Sequence, residues 1–120
     1  MTMAGFDAAE HVRRRSDYQR IYDRGAKAHG KLLTIFTLAN DLQIGRLGIA
    51  ATRKIGGAVV RNRAKRLIRE VFRRNKIAPG YDIVVIPRRE LLDAGLAAIE
   101  TEFRRTLERG LRRRQPTDAR

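Results

Sequence analysis

The stretch "VVRNRAKRLIREVFRRNKIAPGYDIVVIP", residues 59–87, changes its hydrophobic period partway along, and that change decides the fold. Up to about Lys76 the apolar residues recur at helical spacing. Advancing about 100° per residue from Arg61 gathers Ala64, Leu67, Ile68, Val71 and Phe72 into an arc of about 140°. "APG" then stops the helix. The run that follows, "YDIVVIP", is short, rich in β-branched residues and apolar on both faces, which is the pattern of a central or covered strand. Pro87 has no N–H for a ladder, so strand pairing should end there.

Outward from this unit the pattern is simpler. In "RRRSDYQRIYDRG" (13–25) Ser16 or Asp17 can cap a short helix and Gly25 can stop it, with Tyr18, Ile21 and Tyr22 on one face. "KLLTIFTL" (31–38) and "IGRLGIAAT" (44–52), with "AND" turning the chain after the first, predict an antiparallel hairpin. Leu92, Leu96, Ile99, Phe103 and Leu107 predict a last amphipathic helix ending near Gly110. The order helix, strand, strand, helix, strand, helix describes an α+β fold. It is a two-layer sandwich in which a small sheet, made of the hairpin plus a further strand, carries helices mainly on one side. All 120 residues form one domain. Its core should run from about residue 12 to 110, with 1–11 and 112–120 as loose ends.

Charge narrows the partner. The chain has 27 Lys and Arg against 13 Asp and Glu, a net +14, which would self-repel unless an anion neutralises it. Nucleic acid is the leading candidate and an anionic membrane surface the second. There is no cysteine, so disulfides, thiolate zinc sites and cysteine nucleophiles are excluded, and a reducing, intracellular setting is allowed. No apolar run reaches the roughly 20 residues of a membrane span, and the start lacks the order of a secretory signal, so a cytosolic protein is expected.

The charge is concentrated on the helix quoted above. Between Arg53 and Lys76 there are ten basic residues and one acid, Glu70. Arg61, Lys65, Arg69 and Arg73 form one i+4 row on the same wheel, with Asn62 and Arg66 beside it. Like charges at that spacing repel. A helix face meant only for solvent usually interleaves acids instead. Arginine's planar fork also grips phosphate oxygens better than a lysine does. The preceding loop "KIGGAV" could bring backbone N–H groups to a phosphate, but no "GK[ST]" follows, so nucleotide hydrolysis is unsupported.

Other candidates carry less. Tyr18 and Tyr22 share a helix face, and Phe36 shares a strand face with Thr34 and Leu38. Such residues are either core or stacking platforms for unpaired bases, and solvent exposure separates the two. His11 and His29 have no cysteine or paired carboxylate beside them, which argues against zinc. The acids show no metal-ligand spacing and no Ser-His-Asp arrangement.

The segment "KIGGAVVRNRAKRLIREVFR" (54–73) resembles the signature of the bacterial ribonuclease P protein component. The likeness extends to "RRRSDYQRIYDRG", "RLGIAATRKIG" and "YDIVVIPR". It implies a left-handed βαβ crossover and a protein without catalytic residues of its own. Such a protein is the small subunit of a ribonucleoprotein whose RNA, with magnesium, removes the 5′ leader from precursor tRNA. It further implies that Arg53, Lys54, Arg61, Asn62, Arg63, Lys65, Arg66 and Arg69 face the RNA subunit. Tyr18, Tyr22, Thr34 and Phe36 would then line a cleft for the single-stranded leader, which tips the aromatics toward partly exposed platforms. The partners implied are the RNA subunit and precursor tRNA, with no membrane, no small-molecule substrate and no cofactor bound by the protein alone. Tyrosine stands at 18 and 22 where the family more often has phenylalanine. Rival readings are a ribosomal or other structural RNA-binding protein, a helix-turn-helix regulator, which the flanking strands disfavour, and a nuclease acting alone.

Overall fold

The computed structural model describes residues 8–113. Helix α1 (Arg15–Arg24) is followed by strands β1 (Ala26–His29), β2 (Leu33–Ala39) and β3 (Arg46–Ile49), helix α2 (Ala58–Arg74), strand β4 (Tyr81–Pro87) and helix α3 (Leu96–Arg112). Short 3-10 turns occupy Ala8–Glu10, Arg53–Ile55 and Arg89–Asp93. The sheet has the order β1-β2-β4-β3, so β4 is internal, as its two apolar faces require. It ends at Pro87, which lies opposite Leu33.

The hairpin expected from residues 31–38 and 44–52 does not form. β2 pairs antiparallel with β1 on one side, from Ala26 opposite Thr37 to His29 opposite Thr34, and with β4 on the other. β3 instead lies parallel to β4, with Leu47 opposite Ile83. α2 makes the connection between them, as parallel neighbours require. The physical reason lies in β4, which needs a strand on each edge. β2 and β3 supply those two edges and therefore cannot be adjacent to each other. The true hairpin uses "AKAH", whose alternation buries Ala26 and Ala28 and exposes Lys27 and His29.

Strand alternation sends side chains to two layers. Leu33 and Ile35 of β2, Leu47 of β3 and Ile83 and Val85 of β4 meet α2 and α3 in the larger core. α2 is fixed there by Ala64, Ile68, Val71 and Phe72, with Leu67 half-buried, which reproduces the arc read from the sequence. α3 presses close enough on the hairpin that a Cβ at Gly110 would lie 3.7 Å from the Ala28 Cβ. It begins at Leu96 rather than Leu92, because Gly95 takes the cap position after the separate 3-10 turn.

On the opposite face Phe36, Leu38 and Val84 pack with Ile21 of α1 and with Val12. α1 ends at Gly25, whose N–H donates to the Ile21 carbonyl at 2.9 Å, but it starts without a side-chain cap. Asp17 reaches Arg20 and Arg46 instead. Residues 8–11, expected to be a loose lead-in, are held: Glu10 is buried, and His11 forms a parallel bridge with Leu47. The expectations for residues 1–7 and 114–120 lie outside the described residues. Among the described residues no helix is long and apolar enough to cross a membrane.

Candidate nucleic-acid interface

With Ala64, Ile68, Val71 and Phe72 anchored in the core, the opposite side of α2 must face outward. Asn62, Arg63, Arg66 and Arg69 are exposed, and Arg61 and Lys65 are half-buried. Arg53 and Lys54 stand exposed in the turn before the helix, where the Thr52 hydroxyl accepts the Lys54 N–H at 3.3 Å. Arg61 to Arg69 spans about 12 Å along the axis at 1.5 Å per residue.

Among the described residues, none of Arg53, Lys54, Arg61, Arg63, Lys65, Arg66 and Arg69 forms an ion pair with a carboxylate. The contrast within the same helix is sharp, because Glu70 holds both Arg73 and Arg74, the latter at 2.9 Å. Those bonds pull the Glu70 carboxyl below its ordinary pKa, the Arg73 hydrogen bond contributing most. The i+4 row read from the sequence therefore loses Arg73 to Glu70, and its uncompensated part runs from Arg61 to Arg69. Cations left at that spacing weaken an isolated helix, so an external anion is what the arrangement suits.

The aromatic residues come together on the α1 side. Tyr18 and Tyr22 ring centroids are 6.3 Å apart, and Tyr22 meets Phe36 edge to face at 5.0 Å. Lys27 of β1 lies over the Phe36 ring at 5.4 Å, a cation–π contact that sequence inspection missed. Both tyrosines are half-buried, and partial burial raises both hydroxyl pKa values, so they stay protonated at neutral pH. Phe36 and Thr34 lie deeper, 9% and 7% exposed. Phe36 therefore supports Tyr22 from below and offers solvent little of its own face, unlike the partly exposed platform expected of it. Thr34 sits opposite His29, its hydroxyl 3.4 Å from the ring Nδ1.

A polar depression of about 160 Å³ joins the two surfaces. His11, Tyr18, Gly48, Ile49, Lys65 and Arg69 line it. His11 entered the sequence reading only as a rejected zinc ligand, and nothing in its local pattern places it here. Its ring is held below the ordinary histidine pKa by burial first, then by Arg13 and Arg69.

A charge network sets how α1 sits on the sheet. The Asp82 side chain is fully buried. It accepts from Arg46 Nε at 2.7 Å, Asn40 Nδ2 at 2.9 Å and Arg20 Nη2 at 3.2 Å. Burial alone would raise its pKa, but the bonds from Arg46 and Asn40 outweigh that and hold the carboxyl below the usual range. This acid is spent on structure. No group of three or more His, Asp or Glu able to hold a metal ion occurs among the described residues.

Fold and surface together define a class, a small, strongly basic α+β protein with an uncompensated cationic helix face. The Ribonuclease P family model matches residues 6–110. The ribonuclease P protein component of Clostridioides difficile strain 630 is 36% identical over 107 residues, 87% of this chain and 94% of that protein. The Thermotoga maritima component is 43% identical over 88 residues, 72% of this chain and 75% of that one. Among solved structures, the Thermotoga maritima ribonuclease P protein aligns with a TM-score of 0.76 at 36% identity, covering 83% of this chain and 96% of that chain. The Staphylococcus aureus protein aligns at 0.74 and 33%, covering 82% and 93%. The chain belongs to the ribonuclease P protein family.

Proposed function

We propose that this chain is the RNA-binding subunit that lets the RNA of ribonuclease P remove the 5′ leader from precursor tRNA. The observation that carries the reading is the uncompensated positive face of α2, joined by the polar depression to the Tyr18–Tyr22 cluster. Two polyanions, the RNA subunit and the precursor, must approach each other, and their repulsion falls when a cationic surface lies between them. Arg53, Lys54, Arg61, Arg63, Lys65, Arg66 and Arg69 supply that surface toward the RNA subunit. Asn62 adds a donor and an acceptor for a base or ribose edge.

On the other side, Tyr18 and Tyr22 give the unpaired leader half-exposed rings on which to stack. Phe36 and Thr34 back them, and Lys27 stands ready for a phosphate. The site is cytoplasmic by this account, where precursor tRNA is made. The phosphodiester chemistry belongs to the RNA. Magnesium, which serves such a reaction by stabilising charge on the phosphate oxygens, finds no fitting carboxylate cluster among the described residues, and the α2 face would repel it.

The test is a comparison of substrates bound by the holoenzyme. Tyr22→Ala should lower affinity for precursor tRNA by about tenfold, the equivalent of one stacked base, and leave mature tRNA nearly unchanged. Equal losses for the two would return the aromatic cluster to the core.

A further inference from the structure

Strand β3 carries a glycine where its pattern calls for a side chain. Gly48 is buried, pairs with Val84 of the central strand and points to the α1 side of the sheet, the same side as Arg46. A glycine inside a strand weakens it and often marks the close approach of another group. Here that group is one residue. A Cβ built at position 48 would stand 2.7 Å from the Tyr18 hydroxyl oxygen, 2.8 Å from Cζ and 2.9 Å from Cε1. All three nearest atoms belong to the Tyr18 side chain.

The neighbouring residue completes the seat. Ile49 alternates with Gly48, so its backbone amide points away from β4, toward the edge of the sheet. The Ile49 backbone is near enough to the Tyr18 hydroxyl to oppose the rise in its pKa that burial causes. The ring thus lies on bare backbone at Gly48, with its hydroxyl end beside the backbone of Ile49. Its remaining flanks face Tyr22 and the depression that Lys65 and Arg69 border.

We propose that Gly48 is a positioning residue for leader binding, setting the height of the Tyr18 platform over β3. This rests on the reading of Tyr18 as a leader contact. Other glycines in the chain behave differently. A Cβ at Gly25 would strike the Ile21 carbonyl oxygen at 2.6 Å, and one at Gly45 the Ala78 carbonyl oxygen at 2.7 Å. Backbone cannot yield cheaply, so substitution there loads the fold. At Gly48 the atom struck is the mobile end of a side chain, and no positive φ bars alanine. The ring should therefore move, lifting from the strand.

The experiment uses holoenzyme reconstituted with the RNA subunit and compares wild type, Gly48→Ala, Tyr18→Ala and the double variant. Each is measured for affinity to precursor and to mature tRNA, and the free proteins are melted. Gly48→Ala and Tyr18→Ala should each reduce the preference for precursor by about tenfold, with mature tRNA binding retained. The double variant should be no worse than either, because both act on one ring. If Tyr18→Ala loses the preference while Gly48→Ala keeps it, the positioning role is overturned and the leader reading stands. If Tyr18→Ala keeps the preference, the leader reading itself fails. Equal losses for both RNAs in Gly48→Ala would reduce the glycine to a structural role. Should Gly48→Ala fold poorly, removing the ring in the double variant must restore its melting temperature, and a failure to restore it overturns the proposal.

Discussion

Replacing Arg66 and Arg69 together by alanine separates a functional cationic face from a structural one. Both side chains are exposed, and neither has a carboxylate partner among the described residues, so no internal ion pair is broken. Each phosphate that an arginine no longer holds takes about 0.7 to 0.9 from the slope of log affinity against log salt, so removing two such arginines flattens it by about 1.4 to 1.8. Between roughly 50 and 200 mM salt, the deficit of the variant relative to wild type should then shrink by about tenfold. Stability should move the other way. Arg69 repels Lys65 one turn before it, and alanine is the better helix former, so α2 should gain a few tenths of a kcal/mol. The control is Arg73→Ala with Arg74→Ala. It removes the same two formal charges from the same helix, but these are already held by Glu70. Titrations against labelled RNA subunit over a salt series, with thermal melts of the free proteins, read both effects. A slope unchanged in the Arg66 and Arg69 variant, or an equal flattening in the control, would refute the assignment of the face.

Three further outcomes follow from the packing. Because the bonds to Asp82 hold its folded pKa below the unfolded value, their stabilisation is present above about pH 4 and is lost as pH falls through the folded pKa. Asp82→Asn should flatten that acid limb in a pH series of melts. At neutral pH it should destabilise by about 2–3 kcal/mol, less than a fully buried pair, since Arg20 and Arg46 still reach water; a melting profile with the wild-type acid limb would count against the network. Phe103→Ala should lower the unfolding free energy in urea by about 3–5 kcal/mol, since the ring is completely buried between α3 and the sheet, and a loss under about 1 kcal/mol would contradict that packing. Gly25→Ala should destabilise by about 1–3 kcal/mol through its collision with the Ile21 and Thr37 carbonyls, and an unchanged melting temperature would show that the chain relaxes there.

The helix and central strand were legible in the sequence because each obeys one period without interruption. Ala64, Ile68, Val71 and Phe72 are the buried residues of α2. β4 is internal as its both-sided apolarity demands. Strand pairing was not legible in the same way. "AKAH" is short, its buried residues are two alanines of low β propensity, and it follows a glycine, so it reads as a turn. The clue was available in β4, since a strand covered on both edges leaves β2 and β3 on opposite sides of it. At the site, the basic face followed from composition and period alone. The seat of Tyr18 on Gly48 and the arrival of His11 beside Lys65 depend on strand register and chain entry, which no local pattern encodes.

Whether this chain assists an RNA catalyst or cleaves RNA itself is decided by 5′ cleavage of precursor tRNA at low magnesium. The RNA subunit alone, the protein alone and the two together are assayed side by side. A protein that works by binding gives cleavage only in the combined reaction. Cleavage by the protein alone, or no gain when it joins the RNA, would contradict that role.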